Sequence, residues 1–318
     1  MHRSYVKLSR AHKRIAYDLG YPAKLRTLED VTTRNARVTL SIAHLARSAH
    51  PGLAEAASGD LGRVRETLKH FVRDWSAEGA QERAAILEPL LDALRLVPPE
   101  RRAGTRVLVP GAGLGRLAWE ISQLGFDTTA NELSAFMTLA LRFLLSPDTT
   151  QHAEQHTIHP YAYWFSHQRS NDALFRPVSF PDTVPRLGDR LQLIAGDFLT
   201  HRGTYDVVAT LFFIDTSLNV LATLEHIYEL LRPGGTWINL GPLLWPGGAQ
   251  ARVELSLDEV LRLARMIGFE IEGEDGRPVE ADALRRRTVR CEYTGDTQAM
   301  MKYMYDAEFW VARKPKGT

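Results

Sequence analysis

The sequence predicts an α/β fold: a largely parallel sheet covered by helices on both faces and entered through a helical stretch. Three observations carry this expectation. From Arg106 onward, short apolar runs alternate with helix-period segments, the pattern that right-handed crossovers between parallel strands produce. The first of those runs, Arg106-Val107-Leu108-Val109-Pro110, breaks into Gly111-Ala112-Gly113-Leu114-Gly115 and then opens a helix. Ahead of it, up to about residue 100, apolar residues recur at helical rather than strand spacing.

Residues 1–100 read as an N-terminal helical lobe. Leu61-Gly62 leads into Val64, Leu68, Phe71, Val72 and Trp75 at helical spacing, and Ala84 to Leu96 repeats the pattern before Pro98-Pro99 ends it. In the domain that follows, 101–318, strands are expected at 106–110, 127–131, 191–195, 205–213, 236–240, 269–273 and 308–313. Between the second and third of these, residues 146–190 are rich in aromatics, histidines and prolines around Tyr161-Ala162-Tyr163-Trp164-Phe165. Long excursions of this kind are functional or disordered, and aromatic richness argues for order, so the segment reads as part of a substrate chamber.

A chain of 318 residues, 44% hydrophobic and 24% charged, is an ordinary globular protein. Its net charge of +1 argues against a phosphate-tracking surface, so no nucleic-acid partner is expected. The basic lean of residues 1–37 (among them Arg26, Arg34 and Arg37) reads as a solvated helix face. With one cysteine, Cys291, an internal disulfide is excluded, and a reduced, cytoplasmic setting is expected. The apolar runs fall short of the roughly 18 residues of a membrane span, and the N-terminus carries no secretory pattern, so a soluble protein is expected. His152, His156 and His159 are close neighbours, yet neither a cysteine pair nor an acidic partner completes a four-ligand set, so no metal is expected. A homodimer is compatible with all of this.

The glycine turn after a buried strand is a nucleotide-binding frame. Gly111, Gly113 and Gly115 let backbone and a helix N-terminus approach a ligand, and Glu132, about twenty residues on, can accept both ribose hydroxyls. The spacing is Gly-x-Gly-x-Gly, without the third glycine that seats a dinucleotide pyrophosphate. Gly196-Asp197-Phe198, the strand from Tyr205 to Asp215, and Leu231-Arg232-Pro233-Gly234-Gly235 leading into Thr236-Trp237-Ile238-Asn239-Leu240 complete an ordered set. That set points to a phosphate-free nucleoside ligand, S-adenosyl-L-methionine, and to a class I methyltransferase of Rossmann-like fold.

At Phe71-Val72-Arg73-Asp74-Trp75, Val107 to Glu120, Phe212-Phe213-Ile214-Asp215-Thr216, Trp237 to Leu244 and Met300-Met301-Lys302-Tyr303, the chain resembles the carnosine N-methyltransferase family. The resemblance runs from about residue 60 to Arg313-Lys314-Pro315. This transferase family methylates the imidazole Nπ of the histidine in carnosine, giving anserine, with S-adenosyl-L-methionine as donor. The resemblance implies cofactor contacts from His70 (the family has glutamine), Arg73, Gly111, Glu132, Asp197, Phe198 and the backbone near Val207. Arg73 would pair with the cofactor carboxylate, Glu132 hold the ribose, and Asp197 with Phe198 address the adenine. The structural alternatives are an ion pair for Arg73, caps for Glu132 and Asp197, and core packing for Phe198.

Methylating an imidazole needs a neutral ring with one nitrogen bare, so the tautomer matters more than activation. A carboxylate that accepts the N–H of one ring nitrogen leaves the other bare and stabilises the cation as the methyl arrives. Asp215, at the end of an apolar strand, is the candidate, and the resemblance assigns it the imidazole contact; a helix N-cap is the competing role. Tyr303 and Tyr305 match family positions that shape and hold the imidazole, with core packing as the alternative, and Asn219 could bond substrate or backbone. Tyr161 and Tyr163 stand where the family has an aromatic and a histidine. One departure concerns substrate identity: a family histidine shortly after Gly-Pro-Leu-Leu is replaced by Pro246, and the Pro246-Gly247-Gly248 loop changes the pocket wall. Carnosine, free histidine, another histidine dipeptide and a peptide histidine all fit this reading. The competing functions are a methyltransferase for another small amine, against which Phe213-Ile214-Asp215-Thr216 stands where Asp/Asn-Pro-Pro-Tyr is common, and a cofactor-binding scaffold or sensor without turnover.

Overall fold

Strands β1 (Arg106–Pro110), β2 (Asp127–Glu132), β3 (His156–Ile158), β4 (Val178–Phe180), β5 (Leu191–Ala195), β6 (Tyr205–Leu211), β7 (Leu231–Gly241), β8 (Glu270–Ile271), β9 (Arg287–Glu292) and β10 (Met304–Arg313) alternate with helices in a computed structural model. It describes residues 2–49, 52, 60–246, 250–273, 279 and 281–317. The main sheet runs β5-β2-β1-β6-β7-β10-β8, with β9 also on β10, while β3 and β4 form a separate antiparallel pair. The five strands from β5 to β7 are parallel and β10 is antiparallel to its neighbours. The expected Rossmann-like α/β class is the observed one. Strand order reverses between β1 and β6, which opens a crevice beyond their carboxyl ends, the place where such sheets bind ligands.

The helices are α1 (His2–Val6), α2 (Arg10–Asp18), α3 (Tyr21–Ala49), α4 (Leu61–Trp75), α5 (Ala80–Arg95), α6 (Pro99–Arg102), α7 (Arg116–Gln123), α8 (Ala135–Leu145), α9 (Asn171–Phe175), α10 (Val220–Leu230) and α11 (Leu257–Ile267). Because successive strand residues point to opposite faces, the central strands sort their side chains two ways. Val107, Val109, Val207, Ala209, Ile238 and Leu240 join a core with α5 and α7. Leu108, Val208, Trp237 and Trp310 join the opposite core with α10 and α11. A third core gathers α4, α8 and the β3–β4 pair around Phe71, Trp75, Phe143 and Phe180.

The expected lobe of residues 1–100 therefore divides in packing. Ile86, Leu90 and Leu94 of α5 are part of the sheet's own core, and the Trp75 indole N–H of α4 donates to the Leu114 carbonyl at 2.8 Å. Helical periodicity marks an apolar face without saying what covers it. The strand expected at 205–213 stops at Leu211, because Phe212 takes a left-handed φ of 49°. The one expected at 269–273 shrinks to β8, while β7 and β10 begin earlier than expected. Strands β3, β4 and β9 lacked an apolar run: His-Thr-Ile, Val-Ser-Phe and Arg-Thr-Val-Arg-Cys-Glu become strands by pairing across long sequence distances.

The 146–190 excursion is ordered and pinned through its middle. Arg176 bridges Glu78 at 2.6 Å and Asp296 at 2.7 Å, and the Met300 N–H donates to the His167 carbonyl at 2.7 Å. The three histidines bond separately, His152 to the Ala153 carbonyl, His156 to the Thr150 hydroxyl and His159 to the Phe175 carbonyl. Among the described residues no His/Cys/Asp/Glu group could hold a metal, and no helix is long and apolar enough to cross a membrane.

Candidate active site

Three loops meet at the switch point. After β1 the chain turns at Gly111 with φ 62°, and a Cβ there would come within 2.5 Å of the Phe213 ring, which follows β6. The loop can lie against that ring only because residue 111 has no side chain. Two residues on, Gly113 (φ 57°) donates its N–H to Glu132 Oε2 at 2.7 Å, and the Ser134 N–H reaches Oε1 at 2.7 Å. Two backbone donors thus fix the Glu132 carboxylate at the end of β2, and each oxygen keeps lone-pair capacity for a further donor.

Asp197 and Phe198 sit beyond β5 in their structural roles. Asp197 Oδ1 accepts the Leu199 N–H at 2.9 Å and caps a short 3-10 turn. Phe198 is buried, edge-on to Phe213 at 5.2 Å and to His226 at 4.9 Å. Its edge-on contact with Phe213 still ties it to the ring that backs Gly111. Val207, whose backbone the resemblance implies near the cofactor, pairs with Val107 and Thr236 in the first half of β6, and its side chain is buried in the α5–α7 core. Only the carboxyl end of a parallel strand reaches the crevice, and four residues of strand span roughly 13 Å.

Helix α4 supplies one wall. Arg73 grips the neighbouring Asp74 through Nε to Oδ1 at 2.6 Å and Nη2 to Oδ2 at 3.0 Å, both side chains buried. Burial alone would raise the Asp74 carboxyl, but the Arg73 guanidinium and His70 hold it well below the usual carboxylate range. His70 lies with Nδ1 3.8 Å from Asp74 Oδ2, and burial together with Arg73 lowers its pKa, so it is neutral at pH 7. The Arg73 guanidinium also rests over the Tyr293 ring at 4.7 Å. The ion-pair role of Arg73 is realised, and any ligand carboxylate would share a guanidinium already bound on one edge.

The wall that continues from Tyr293 is aromatic. Tyr293 packs on Phe212 at 4.7 Å, and Phe212 meets Tyr305 at 5.9 Å. Phe212 holds its left-handed backbone with its N–H on the Leu240 carbonyl at 2.8 Å, a strain of about 1–2 kcal/mol that sets its ring between the two tyrosines. Tyr293 and Asp74 were missed by sequence reasoning. Asp74 was legible from its i,i+4 spacing to His70; Tyr293, in the loop after β9, carries no local signal.

Asp215 lies just beyond, in the 3-10 turn Ile214–Thr216, and is 5% exposed. Its Oδ2 accepts the Leu244 N–H at 3.0 Å, and its Oδ1 is buried with no hydrogen-bond partner. Burial pushes the carboxyl up to about 6, against the pull of backbone N–H groups from Leu244 and Asp215 itself. The competing N-cap role belongs instead to Asn219, half-buried at the start of α10, whose side chain makes no capping bond. Tyr305 joins Asp215: burial and then the Asp215 charge raise its hydroxyl.

The other expected substrate residues part company with this group. Tyr303 is 64% exposed. Tyr161 is buried with its hydroxyl on Glu78 at 3.2 Å and the Arg176 guanidinium 3.9 Å from its ring, which makes it part of the clamp on the excursion. Tyr163 lies under Arg65 of α4 at 4.9 Å. None of these contacts involves Asp215; spacing placed the tyrosines in a segment but could not orient their rings. Pro246 is half-buried two residues after Leu244, and Gly247-Gly248 lies outside the described residues.

Residues 53–316 match the family model described as Carnosine N-methyltransferase. The chain is 37% identical over 273 residues to the carnosine N-methyltransferase of Rattus norvegicus, covering 82% of this chain and 65% of that one. It is 36% identical over 281 residues to that of Schizosaccharomyces pombe, covering 80% and 72%. It thus spans about two thirds of the length of the rat protein. Among solved structures, a magnesium protoporphyrin IX methyltransferase from Synechocystis with bound SAH is similar, with a TM-score of 0.46 at 14% identity over 80% of this chain and 95% of that one. By the extent of these matches, the chain belongs to the carnosine N-methyltransferase family.

Proposed function

We propose that this protein transfers a methyl group from S-adenosyl-L-methionine to an imidazole nitrogen, with Nπ favoured, of the histidine in carnosine or a related small histidine compound. The observation that carries the reading is Asp215: a buried carboxylate at the switch-point crevice with one oxygen anchored to Leu244 and the other unpaired. A group so placed lacks a partner among the described residues, and an imidazole N–H would supply one.

The residues present fit the cofactor. A Cβ at Gly113 would meet nothing within 4 Å, so open space faces the glycine loop, and Glu132 is held rigidly beside it by two backbone donors. Glu132 would accept the ribose hydroxyls, the Gly111–Gly113 backbone would flank the amino-acid portion, and Arg73 would offer its free edge to the carboxylate. When bound, the cofactor supplies an electrophilic methyl on a sulfonium. Asp215 would accept the hydrogen of one ring nitrogen, leave the other bare, and gain attraction to the ring as it becomes cationic. Phe212, Tyr293 and Tyr305 would hold the plane of the heterocycle and exclude water, and their π faces favour the developing cation.

The test is transfer of labelled methyl to carnosine, free histidine and a set of histidine peptides, with NMR assignment of the product. Expected is a ring-nitrogen methyl on at least one of them. Cofactor binding without label in any imidazole would overturn the proposal.

A further inference from the structure

Two features of the sequence stay outside this chemistry: the basic stretch that ends at Arg37, and the histidine trio. The fold brings them together. Asn35 of α3 clamps the start of the excursion, donating from Nδ2 to the His159 carbonyl at 3.0 Å and accepting the His159 N–H on Oδ1 at 2.7 Å. This pair of hydrogen bonds across 124 residues sets β3 against α3 and leaves a cleft of about 550 Å³ between them. Arg34 and Arg37, one turn apart on the same face of α3, line it with His156, Thr157 and His159.

The cleft has the chemistry of an anion site. Neither guanidinium has an acidic partner among the described residues, so both keep their donors for a ligand, whereas Arg73, Arg116 and Arg176 spend theirs on carboxylates. No carboxylate stands among the residues lining the cleft. His159 is 4% exposed; its Nδ1 donates to the Phe175 carbonyl at 2.7 Å, which leaves Nε2, buried and without a hydrogen-bond partner among the described residues, as an acceptor suited to the P–OH of a monoprotonated phosphate rather than to a bare oxyanion. Such orphaned polar atoms are rare and mark places where a partner is missing. Two forked donors at helical spacing suit the oxygens of a phosphate, which guanidinium binds bidentately, and the volume lies in the range of small-molecule sites.

We propose that the α3–β3 cleft binds the phosphate group of a small phosphorylated molecule, held by Arg34 and Arg37 with Thr157 and His159 beside them. The site is separate from the Asp215 crevice and does not depend on the methyl-transfer reading. Titration calorimetry of the full chain with inorganic phosphate and with pyrophosphate tests it, since neither probe carries a nucleoside that could enter the glycine-loop crevice. Saturable binding is expected, tighter for pyrophosphate, and Arg34→Gln with Arg37→Gln should weaken it at least roughly tenfold, the loss of one charged contact or more. The same double variant should keep its affinity for S-adenosylhomocysteine and its unfolding midpoint, because both side chains are on an exposed helix face. Absence of saturable binding by either probe, or equal binding by the parent and the double variant, overturns the proposal. Competition by an equal concentration of sulfate without preference for phosphate would reduce it to general anion attraction and also count against it.

Discussion

Asp74 and Asp215 are equally buried, each 5% exposed, yet their surroundings move them in opposite directions. Asp74 on α4 is gripped by Arg73 and approached by His70, which overcome the effect of burial and keep it ionised well below the ordinary range. Asp215 has, among the described residues, no cation against it, only backbone N–H groups, and burial lifts it to about 6. A buried charge with all its partners inside the chain is scaffolding: Asp74 is satisfied within α4 itself, by Arg73 and His70. A buried charge with one oxygen left over is unfinished structure, and completing it is work for a ligand.

The sharpest way to break this comparison is Asp215→Asn. It keeps the shape and removes the charge, so methyl transfer should fall about a thousandfold, the size of a lost charge-stabilising and proton-orienting group, with S-adenosylhomocysteine affinity held within about twofold. Steady-state rates and calorimetry check it; unaltered turnover would make Asp215 scaffolding too. The mirror experiment is Asp74→Ala, which strands the Arg73 guanidinium and should destabilise the fold by about 4 kcal/mol in denaturant unfolding.

The pH dependence of stability should carry opposite signs at the two acids. For Asp215 the folded pKa of about 6 lies above the ordinary aspartate value of 3.8, so folding favours the protonated form. Its penalty is absent below pH 3.8 and complete above about 6. Asp215→Asn should therefore stabilise the protein at pH 7 by up to about 3 kcal/mol, and by nothing at pH 3.5 if the fold persists there. For Asp74 the folded pKa is depressed, so its contribution is present above the unfolded value and is lost as pH falls through the folded one.

Smaller effects sharpen the map of the walls. Tyr305→Phe should lower transfer by about tenfold, the scale of one hydrogen bond near charge, while Tyr303→Phe at its exposed position should stay within about twofold. Smallest of all, Val207→Ala should leave S-adenosylhomocysteine affinity within about twofold while costing about 1.5 kcal/mol of stability as a buried truncation. A large affinity loss there would return Val207 to the cofactor site.

Most of the fold was legible because the parallel strands, apart from the polar β2, are largely apolar runs, and the glycine turn with Glu132 marked the ligand end of the sheet. Strands β3 and β9 were not, since their residues alternate with charge or polarity and pair only across distant segments. Of the site, Gly111, Gly113, Glu132, Asp215 and Tyr305 stand at the crevice. Tyr161 and Tyr163 are held by charged partners, Glu78 with Arg176 and Arg65, that no local pattern links to them.

What the chain determined through its order of residues is the α/β architecture, the turn that needs glycine at positive φ, and the placing of an acid at the end of an apolar strand, because each depends on periodicity and backbone sterics within a few residues. What only the tertiary structure decided is which charges are satisfied. Arg73 finds Asp74 beside it but meets Tyr293 from far along the chain, and Asp215 meets Leu244 and no cation. Pairing is a property of neighbours in space, and in a low-dielectric interior those neighbours settle whether a carboxylate braces the fold or waits for a ligand.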